Sequence, residues 1–493
     1  MDFISTRGNN DKLTASQAII KGISNDGGLY APSYFPNITN KLKNFIDMTY
    51  SEIAFELLKE FLTDFKVDEI KNCIQNSYDE KFGYKNAVNI RKVNDSYFLE
   101  LYHGPTLAFK DMALTIMPHL LKTSIEKIGI NNEVVILTAT SGDTGKAALE
   151  GFKDVENTKI IVFFPEDGVS AIQKLQMKTQ KGKNTHVVGI RGNFDDAQSA
   201  VKDIFSDEKF SEELLENGYV LSSANSINIG RLLPQVVYYF YSYINLVSTG
   251  EINMYDKVNF VVPTGNFGNI LAGYYAKKMG LPINKLICAS NDNNVLYDFF
   301  NTGKYDKNRI LKLTTSPSMD ILISSNLERL LFEISDRNTA TVKGLMNNLN
   351  SQGYYEIDSN MKRKLDSFHA EYSNEADVNS TIKNVFESFN YLVDTHTAVA
   401  YNCYKNYVQK TSDNTKTIIV STASPYKFCE DVLKSLEHDT SNLDDFEIAD
   451  KLQDLSKVKI PDSILRLKED EIIHKNISDK DKLKIEIKKF LKV

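Results

Sequence analysis

Lys110 is the residue whose sequence neighbours most favour covalent chemistry. It lies in the segment HGPTLAFKDMA, residues 103–113, directly after the apolar Leu107, Ala108 and Phe109. A lysine with few neighbouring charges and much neighbouring apolar surface loses part of its preference for the ammonium form. Its neutral amine can then form a Schiff base with an aldehyde. The alternative is a solvated lysine at the start of a helix, which is the commoner situation for lysine in proteins.

A loop of small and polar residues, TSGDTG at residues 140–145, follows a predicted strand and precedes a predicted helix. Backbone N–H groups at the N-terminus of that helix can hold a carboxylate or a phosphate. The loop does not match the Walker pattern, because Thr140 stands where that motif has its first glycine and Ala147 follows Lys146 in place of Ser or Thr. An ordinary helix cap is the alternative interpretation of this loop.

A second loop, TGNFGN at residues 264–269, also follows a predicted strand. Its two glycines let a ligand approach the backbone closely, so that several N–H groups can converge on one phosphate. The loop lacks the GxGxxG spacing, which argues against a dinucleotide. A tight turn without a ligand is the alternative.

Two further segments carry hydroxyl groups and a guanidinium. In STASP, residues 421–425, a hydroxyl can face the ring nitrogen of a heterocycle, or it can cap a helix that begins near Pro425. In NSINIGR, residues 225–231, Arg231 lies at a predicted helix start, where its planar fork of donors suits a phosphate. A structural ion pair between Arg231 and a carboxylate is the competing interpretation.

The elements around these segments predict an α/β fold. Between residues 134 and 262 short apolar strands alternate with helices, a pattern that is typical of parallel sheets covered on both faces. Such doubly wound sheets bind their ligands beyond the carboxyl ends of the strands, which is where the loops lie. An apolar lysine and several anion-binding loops on one frame point to pyridoxal phosphate. The lysine would bind its aldehyde, one loop its phosphate and another loop the substrate carboxylate.

The rest of the chain departs from this alternation. Residues 1–80 are predicted to form a separate N-terminal domain, with a helical pattern from 50 to 78. A catalytic core is predicted over 81–440, interrupted from about 300 to 392 by a mostly helical insertion rich in Asn, Ser and Lys. Residues 441–493 are predicted to be a tail of short charged helices.

Composition excludes several classes of protein. The 493 residues suffice for roughly three domains. Lys plus Arg is 58 and Asp plus Glu is 65, a net charge of −7, so no basic field exists to attract a nucleic acid. Four scattered cysteines form no ligand cluster, so we expect no metal site and a reducing, cytoplasmic compartment. A signal pattern and membrane-length apolar runs are absent from the sequence, so we expect no membrane association.

Nine segments occur in the order in which they are found in the threonine synthase family, and the chain resembles the longer branch of that family over nearly its whole length. These segments are ISTRG, DGGLYAP, HGPTLAFKD, TATSGDTG, SSANSINIGRLLPQ, VPTGNFGN, SPSMDI, DTHTAVA and STASPYKF. The resemblance implies a fold-type II (β-family) pyridoxal-phosphate enzyme. It implies two doubly wound α/β domains with an N-terminal domain and a helical insertion.

The resemblance also implies roles for residues around the cofactor. Lys110 would bind the aldehyde of pyridoxal phosphate, and Asp143 would lie near the 3′ oxygen of the cofactor. Thr422 would meet the ring nitrogen, with Ser421 and Ser424 as alternatives. The phosphate of the cofactor would be bound by Gly265, Asn266, Phe267, Gly268 and Asn269.

The substrate that the resemblance implies is O-phospho-L-homoserine, which reacts with water to give L-threonine and phosphate in the last step of threonine biosynthesis. Ser141 and Thr144 would contact this substrate, and Asn225, Ser226 and Arg231 would hold its phosphate. Lys110 would act as general acid and base, and the enzyme would be a monomer or a homodimer. One alternative is serine/threonine dehydration or β-replacement on the same frame, and another is a noncatalytic homologue. Neither alternative reaction needs a second phosphate site.

Overall fold

A sheet of five strands forms the smaller of two α/β units. In a computed structural model of the protein, the strands are adjacent in the order Ile477–Asp479, Thr185–Arg191, Thr158–Pro165, Glu133–Ala139 and Tyr219–Ser223. All four pairings are parallel. The central strands are buried on both faces, which is why their sequences are continuously apolar. The helices of this unit are Asp143–Phe152, Ala171–Lys178, Phe194–Ser206, Glu208–Glu216 and Leu483–Leu491.

A sheet of six strands forms the larger unit. Its strands are adjacent in the order Phe368–Tyr372, Ile283–Ser290, Val258–Pro263, Thr417–Ser421, Ser96–Glu100 and Asn89–Val93. The last two strands form an antiparallel hairpin, and the other four pairings are parallel. The predicted α/β architecture of parallel sheets covered by helices is therefore confirmed in both units. The main helices of this unit are Ile229–Ser248, Gly268–Lys278, Val295–Thr302, Glu375–Phe389, Thr395–Thr411, Cys429–Ser435 and Asp445–Ser456.

The remaining elements lie before and between these units. The structure describes residues 1–8, 11–78, 80–84, 86–140, 142–166, 169–192 and 194–493. The other α-helices are Ala15–Lys21, Tyr50–Phe61, Val67–Gln75, Asp111–Leu114, Met117–Ile128, Leu327–Ile334, Thr339–Ser351, Ser359–Arg363 and Asp462–Leu465. Short 3₁₀ helices span Thr39–Phe45, Pro317–Met319, Pro425–Phe428, Arg466–Lys468 and Lys480–Lys482. None of the described helices is long and apolar enough to cross a membrane.

Several strands were not predicted from the sequence: the hairpin Asn89–Val93 with Ser96–Glu100, and one edge strand in each of two later segments. The segment from 300 to 392 is mostly helical, but its strand Phe368–Tyr372 forms an edge of the six-stranded sheet. In the C-terminal tail, Ile477–Asp479 forms an edge of the five-stranded sheet, so the expectation of helices alone is wrong there. Strands of three to five residues are too short to display a reliable period of two. Two antiparallel pairs complete the strands: Phe3–Ser5 with Tyr30–Pro32, and Lys304–Asp306 with Tyr354–Glu356.

The helix Ile229–Ser248 connects the N-terminal region to the core. Almost every side chain of this helix is buried, in keeping with its apolar sequence. The helix Tyr50–Phe61 packs on it, and the rings of Tyr50 and Tyr241 meet edge to face with centroids 5.5 Å apart. The side chain of Asn228 caps its first turn by accepting from the N–H of Gly230 at 2.9 Å. This cap fixes the position of Arg231 at the end of the helix that faces the sheets.

Candidate active site

Lys110 is held beside Thr422 by a short pairing of their two segments. Ala108 and Ala423 form an isolated antiparallel bridge, and the N–H of Phe109 donates to the carbonyl of Thr422 at 2.8 Å. Thr422 directly follows the strand Thr417–Ser421. The predicted partner of an aldehyde and a predicted partner of a ring nitrogen therefore line the same cavity.

The amine of Lys110 is buried among polar groups. Its Nζ donates to Ser318 Oγ at 3.1 Å and lies 3.4 Å from Asp143 Oδ2. The expectation of few neighbouring charges is therefore wrong, because the apolar residues beside Lys110 in sequence are not its neighbours in space. Burial lowers the pKa of Lys110 and the charges of Lys427 and Arg231 lower it further, while Asp143 opposes the shift. The pKa of Lys110 is shifted in the expected direction, but nearby cations contribute to this shift together with burial.

Asp143 is shared between two lysines. Its Oδ1 lies 2.6 Å from Lys427 Nζ and accepts from Gln173 Nε2 at 2.9 Å. Its Oδ2 faces Lys110 and accepts from Ser318 Oγ at 3.2 Å. Burial alone would raise the pKa of Asp143, but the charges of Lys427 and Lys110 outweigh it and hold the pKa well below its usual range. Asp143 is therefore a carboxylate at neutral pH.

The loop at residues 140–145 is partly a helix cap. The hydroxyl of Thr140 accepts from the N–H of Gly142 at 3.0 Å and from that of Gly145 at 2.8 Å, so these two donors are already used. Thr144 lines the same cavity as Lys110. Ser141 lies outside the described residues, so its predicted contact with substrate stays a prediction.

The loop at residues 264–269 leads into the helix Gly268–Lys278. Phe267 has a φ of 63° in the left-handed region, and its ring packs in the core against Phe300 and Phe368. Phe267 can therefore offer a ligand its backbone but not its ring. The first N–H groups of the helix have no partner within the helix, and the loop lines the cavity of Lys110. A phosphate fits this position.

Asn269 adds an unsatisfied donor to this loop. Its Oδ1 accepts from the hydroxyls of Tyr238 and Tyr239, each at 2.7 Å. Its Nδ2 is buried and has no hydrogen-bond partner among the described residues, although Asn269 lines the cavity. Because buried polar groups in proteins are almost always paired, this donor indicates a ligand. The residues present therefore fit the phosphate of pyridoxal phosphate.

Arg231 is a buried cation without a counter-charge. The residue is 3% exposed, and its Nη1 donates to the carbonyl of Ala224 at 2.9 Å. Its Nε has no partner in the part of the chain that the structure describes. No acidic side chain among the described residues forms an ion pair with it, so the interpretation as a structural ion pair is wrong. Burial lowers the pKa of Arg231 to about 10, which leaves it charged at neutral pH. Asn225 and Ser226 line the cavity beside it.

The hydroxyls that follow the strand Thr417–Ser421 differ in their surroundings. Ser421 Oγ lies 2.8 Å from the hydroxyl of Thr397, and Ser424 Oγ accepts from the N–H of Tyr426 as the cap of a 3₁₀ helix. Thr422 lines the cavity of Lys110, and its hydroxyl makes no hydrogen bond within the described residues. This arrangement favours Thr422 as the partner of a ring nitrogen and shows that the cap interpretation applies to Ser424.

The site residues thus converge on one cavity of about 190 Å³. The predicted residues that line it are Lys110, Thr144, Asn225, Ser226, Arg231, Gly265, Asn266, Phe267, Gly268, Asn269 and Thr422. A larger cleft of about 1160 Å³ is lined by residues such as Lys146, Glu150 and Tyr391. That cleft includes Ser424 but neither Lys110 nor either anion-binding loop. Size alone would therefore choose the wrong cavity.

Four contact residues were missed by the sequence reasoning: Lys427, Ser318, Gln173 and His396. His396 Nε2 accepts from the N–H of Ser318 at 3.3 Å, and its Nδ1 lies 2.8 Å from Asp394 Oδ2, so it positions Ser318. Three of the four lie in family-matching segments to which no role was given, namely SPSMDI, DTHTAVA and STASPYKF. Membership of those segments was the available signal.

Three family profiles match the chain in succession. The profile "Threonine synthase N terminus" matches residues 2–78, and "Pyridoxal-phosphate dependent enzyme" matches residues 89–423. The profile "Threonine synthase, C-terminal" matches residues 397–475. The middle profile contains Lys110, both anion-binding loops and Thr422.

Individual proteins are similar over most of the chain. A "Threonine synthase" of Schizosaccharomyces pombe is 35% identical over 87% of this chain and 88% of its own length. A "Threonine synthase-like 1" of Pongo abelii is 41% identical over 88% of this chain, which spans only 61% of that protein. The crystal structure of a threonine synthase with bound pyridoxal phosphate from Brucella melitensis superposes with a TM-score of 0.88, at 33% identity and 100% coverage of both chains. The similarity therefore includes the whole of this fold.

Proposed function

The chain belongs to the threonine synthase family of fold-type II, pyridoxal-phosphate dependent enzymes, and on that premise we propose that it is itself a threonine synthase. Its cofactor is pyridoxal phosphate. The proposed reaction converts O-phospho-L-homoserine and water to L-threonine and phosphate. The bond between Cγ and the phosphate oxygen breaks, and the oxygen of water adds at Cβ. Cβ loses one hydrogen, Cγ gains one to become the methyl group, and the remaining proton of water goes to the released phosphate.

The observation that carries the proposal is a second anion site in the cavity of Lys110. The loop with Asn269 supplies donors for the phosphate of the cofactor. Arg231 belongs to a different segment and keeps an unpaired buried charge, so it suits another anion. Serine dehydration and β-replacement use substrates without such a phosphate. The phosphate of the cofactor accounts for the first site, and an O-phosphorylated substrate accounts for the second.

The side chains have separate tasks in this reaction. When bound, pyridoxal phosphate supplies an electron-withdrawing ring that stabilises negative charge on the substrate carbons. Lys110, whose pKa is lowered chiefly by burial, moves the proton of the substrate Cα through Nζ. Arg231 holds the phosphate of the substrate as it leaves Cγ. Thr422 orients the ring by hydrogen bonding to its nitrogen.

A phosphate-release assay on O-phospho-L-homoserine tests the proposal, with threonine identified as the second product. Lys110→Ala should lose more than about 10³-fold in rate, because both the attachment of the cofactor and the proton transfer depend on Nζ. Lys122→Ala is a matched control, since Lys122 lies on the nearby helix Met117–Ile128 and pairs with Glu156 away from the cavity. It should retain the activity of the wild type.

Two results would redirect the proposal. Formation of a keto acid from serine without phosphate release from phosphohomoserine would identify a dehydratase. Protein that binds pyridoxal phosphate at Lys110 but converts neither substrate would favour a noncatalytic homologue. Borohydride reduction followed by peptide mapping identifies the lysine that carries the cofactor in each case.

A further inference from the structure

Lys427 is a second buried lysine at the active site. Its side chain is 0% exposed, and it belongs to the 3₁₀ helix Pro425–Phe428, close after the strand that leads to Thr422. Its Nζ donates to the carbonyl of Thr106 at 2.9 Å and lies 2.6 Å from Asp143 Oδ1. A fully buried ammonium group is costly unless its charge is paired, so the contact with Asp143 is what retains it.

Lys427 and Lys110 compete for one carboxylate. The distance from Asp143 to Lys427 is 2.6 Å, against 3.4 Å from Asp143 to Lys110. Because the Coulomb attraction between unit charges grows as their distance falls, the carboxylate interacts more strongly with Lys427, the closer lysine, than with Lys110. Without Lys427, the carboxylate would be free to pair fully with Lys110 and to stabilise its ammonium form.

We propose that Lys427 is a positioning residue, which pairs with the carboxylate of Asp143 and so limits its pairing with Lys110, allowing Lys110 to release its proton and bind the aldehyde of pyridoxal phosphate. This inference depends on the cofactor of the family and not on the proposed substrate. It assigns a role to a residue that does not line the cavity of Lys110 and whose Nζ contacts Asp143 and the carbonyl of Thr106.

Other charged groups near Lys110 and Asp143 also affect their pKa values. Arg231 lowers the pKa of Lys110, and His396 lowers that of Asp143. Asp111 and Lys146 interact electrostatically with Lys427 from neighbouring segments. Within the described residues, the ion pairs of Asp143 are with Lys110 and Lys427, so these two lysines divide its charge directly.

The test is the pH dependence of cofactor uptake by protein freed of pyridoxal phosphate, followed through the visible absorbance of the bound cofactor. Lys427→Met should move the midpoint of the uptake rate to higher pH by about one unit, since removing a neighbouring cation raises the pKa of Lys110. Below the midpoint the rate at a given pH should fall about tenfold, in proportion to the neutral amine. Asp143→Asn should move the midpoint the other way, and the double variant should return toward the wild type.

Controls separate this role from a structural one. Lys427→Arg keeps the charge and should stay near the midpoint of the wild type. Lys146→Met removes another buried lysine, one paired with Glu150 instead of Asp143, and should leave the midpoint in place. Borohydride trapping and peptide mapping should place the cofactor on Lys110 in every variant that binds it.

An unchanged midpoint in folded Lys427→Met would overturn the proposal. So would a double variant that shifts further in the direction of Lys427→Met. If Lys427→Met does not fold, Asp143→Asn decides alone, and a midpoint that stays or rises in that variant contradicts the shared-carboxylate arrangement. Phosphohomoserine takes no part in these measurements, so they remain informative even if the proposed reaction is wrong.

Discussion

The two ends of the active-site cavity differ in how their charges are balanced. At the lysine end, formed by Lys110, Asp143 and Lys427, each charged group has a charged partner. At the anion end, formed by Arg231 and Asn269, two buried donors, Arg231 Nε and Asn269 Nδ2, have no partner within the residues that the structure describes. The lysine end therefore carries its own counter-charges, whereas the anion end is completed by what binds there.

This difference has an energetic consequence. A buried donor left without an acceptor costs about 1–3 kcal/mol, and more when it is charged. At the anion end, the folded protein is destabilised by this free energy until an anion binds. Ligand binding should consequently stabilise the protein more through the anion end than through the lysine end, where a buried network is already satisfied.

Replacement of Arg231, at the anion end, is expected to have the largest effect on activity. Arg231→Met should lower kcat/KM for O-phospho-L-homoserine by about 10³-fold, because a buried charged contact to phosphate is lost, while the absorbance of the bound cofactor stays unchanged. The free energy of unfolding without substrate should stay the same or rise, since an uncompensated buried charge is removed. Steady-state kinetics and thermal unfolding measure the two effects.

Arg329 supplies a matched control, because it is as deeply buried but fully partnered. Its guanidinium donates to the carbonyls of Tyr30 and Ile227 at 2.8 and 2.6 Å and to Asn326 Oδ1 at 2.5 Å. Arg329→Met should therefore cost about 3 kcal/mol of unfolding free energy, because it leaves buried acceptors unpaired. Equal destabilisation by the two substitutions would contradict the interpretation of Arg231 as an uncompensated buried charge.

Sequence patterns predicted the anion end better than the lysine end. The loops with Asn269 and Arg231 each follow a strand directly, so local pattern and the rule for parallel sheets place them at one edge. Lys427 and Ser318 lie 317 and 208 positions from Lys110, and no local period reports contacts across such separations. The apolar neighbours of Lys110 in sequence even suggested surroundings that the fold does not provide.

The strands of the two sheets also differ in how well the sequence predicted them. Most core strands of both sheets are continuous apolar runs that the sequence predicted, but the internal strand Ser96–Glu100 was not predicted. The edge strands Phe368–Tyr372 and Ile477–Asp479 were not predicted either, because they are short and form only where a neighbouring strand offers its hydrogen bonds. Ser318 belongs to the same poorly predicted segment as Phe368–Tyr372, so part of the active site was missed with that strand.

Asn269→Asp tests the anion end through the affinity for the cofactor. The new carboxylate can still accept from Tyr238 and Tyr239, but it replaces the Nδ2 donor by a negative charge at the proposed site of the cofactor phosphate. We expect the affinity for pyridoxal phosphate to fall about 10²-fold, measured by titration of cofactor-free protein. Asn269→Ala removes the donor without adding charge and should lose less. A pyridoxal-phosphate affinity equal to that of the wild type in Asn269→Asp would place the cofactor phosphate elsewhere.

Thr422 gives the smallest expected effect and is the exception at the lysine end, because its hydroxyl has no partner within the described residues. Thr422→Val keeps the shape of the side chain and removes that hydroxyl. The loss of one neutral hydrogen bond to the ring nitrogen should shift the absorbance of the bound cofactor and lower kcat by less than about tenfold. Ser421→Ala instead removes the hydroxyl that lies 2.8 Å from the Thr397 hydroxyl, which keeps its hydrogen bond to Asp394. It should lower the unfolding free energy by about 1 kcal/mol and leave the spectrum in place. A spectral shift in Ser421→Ala with none in Thr422→Val would exchange the two assignments.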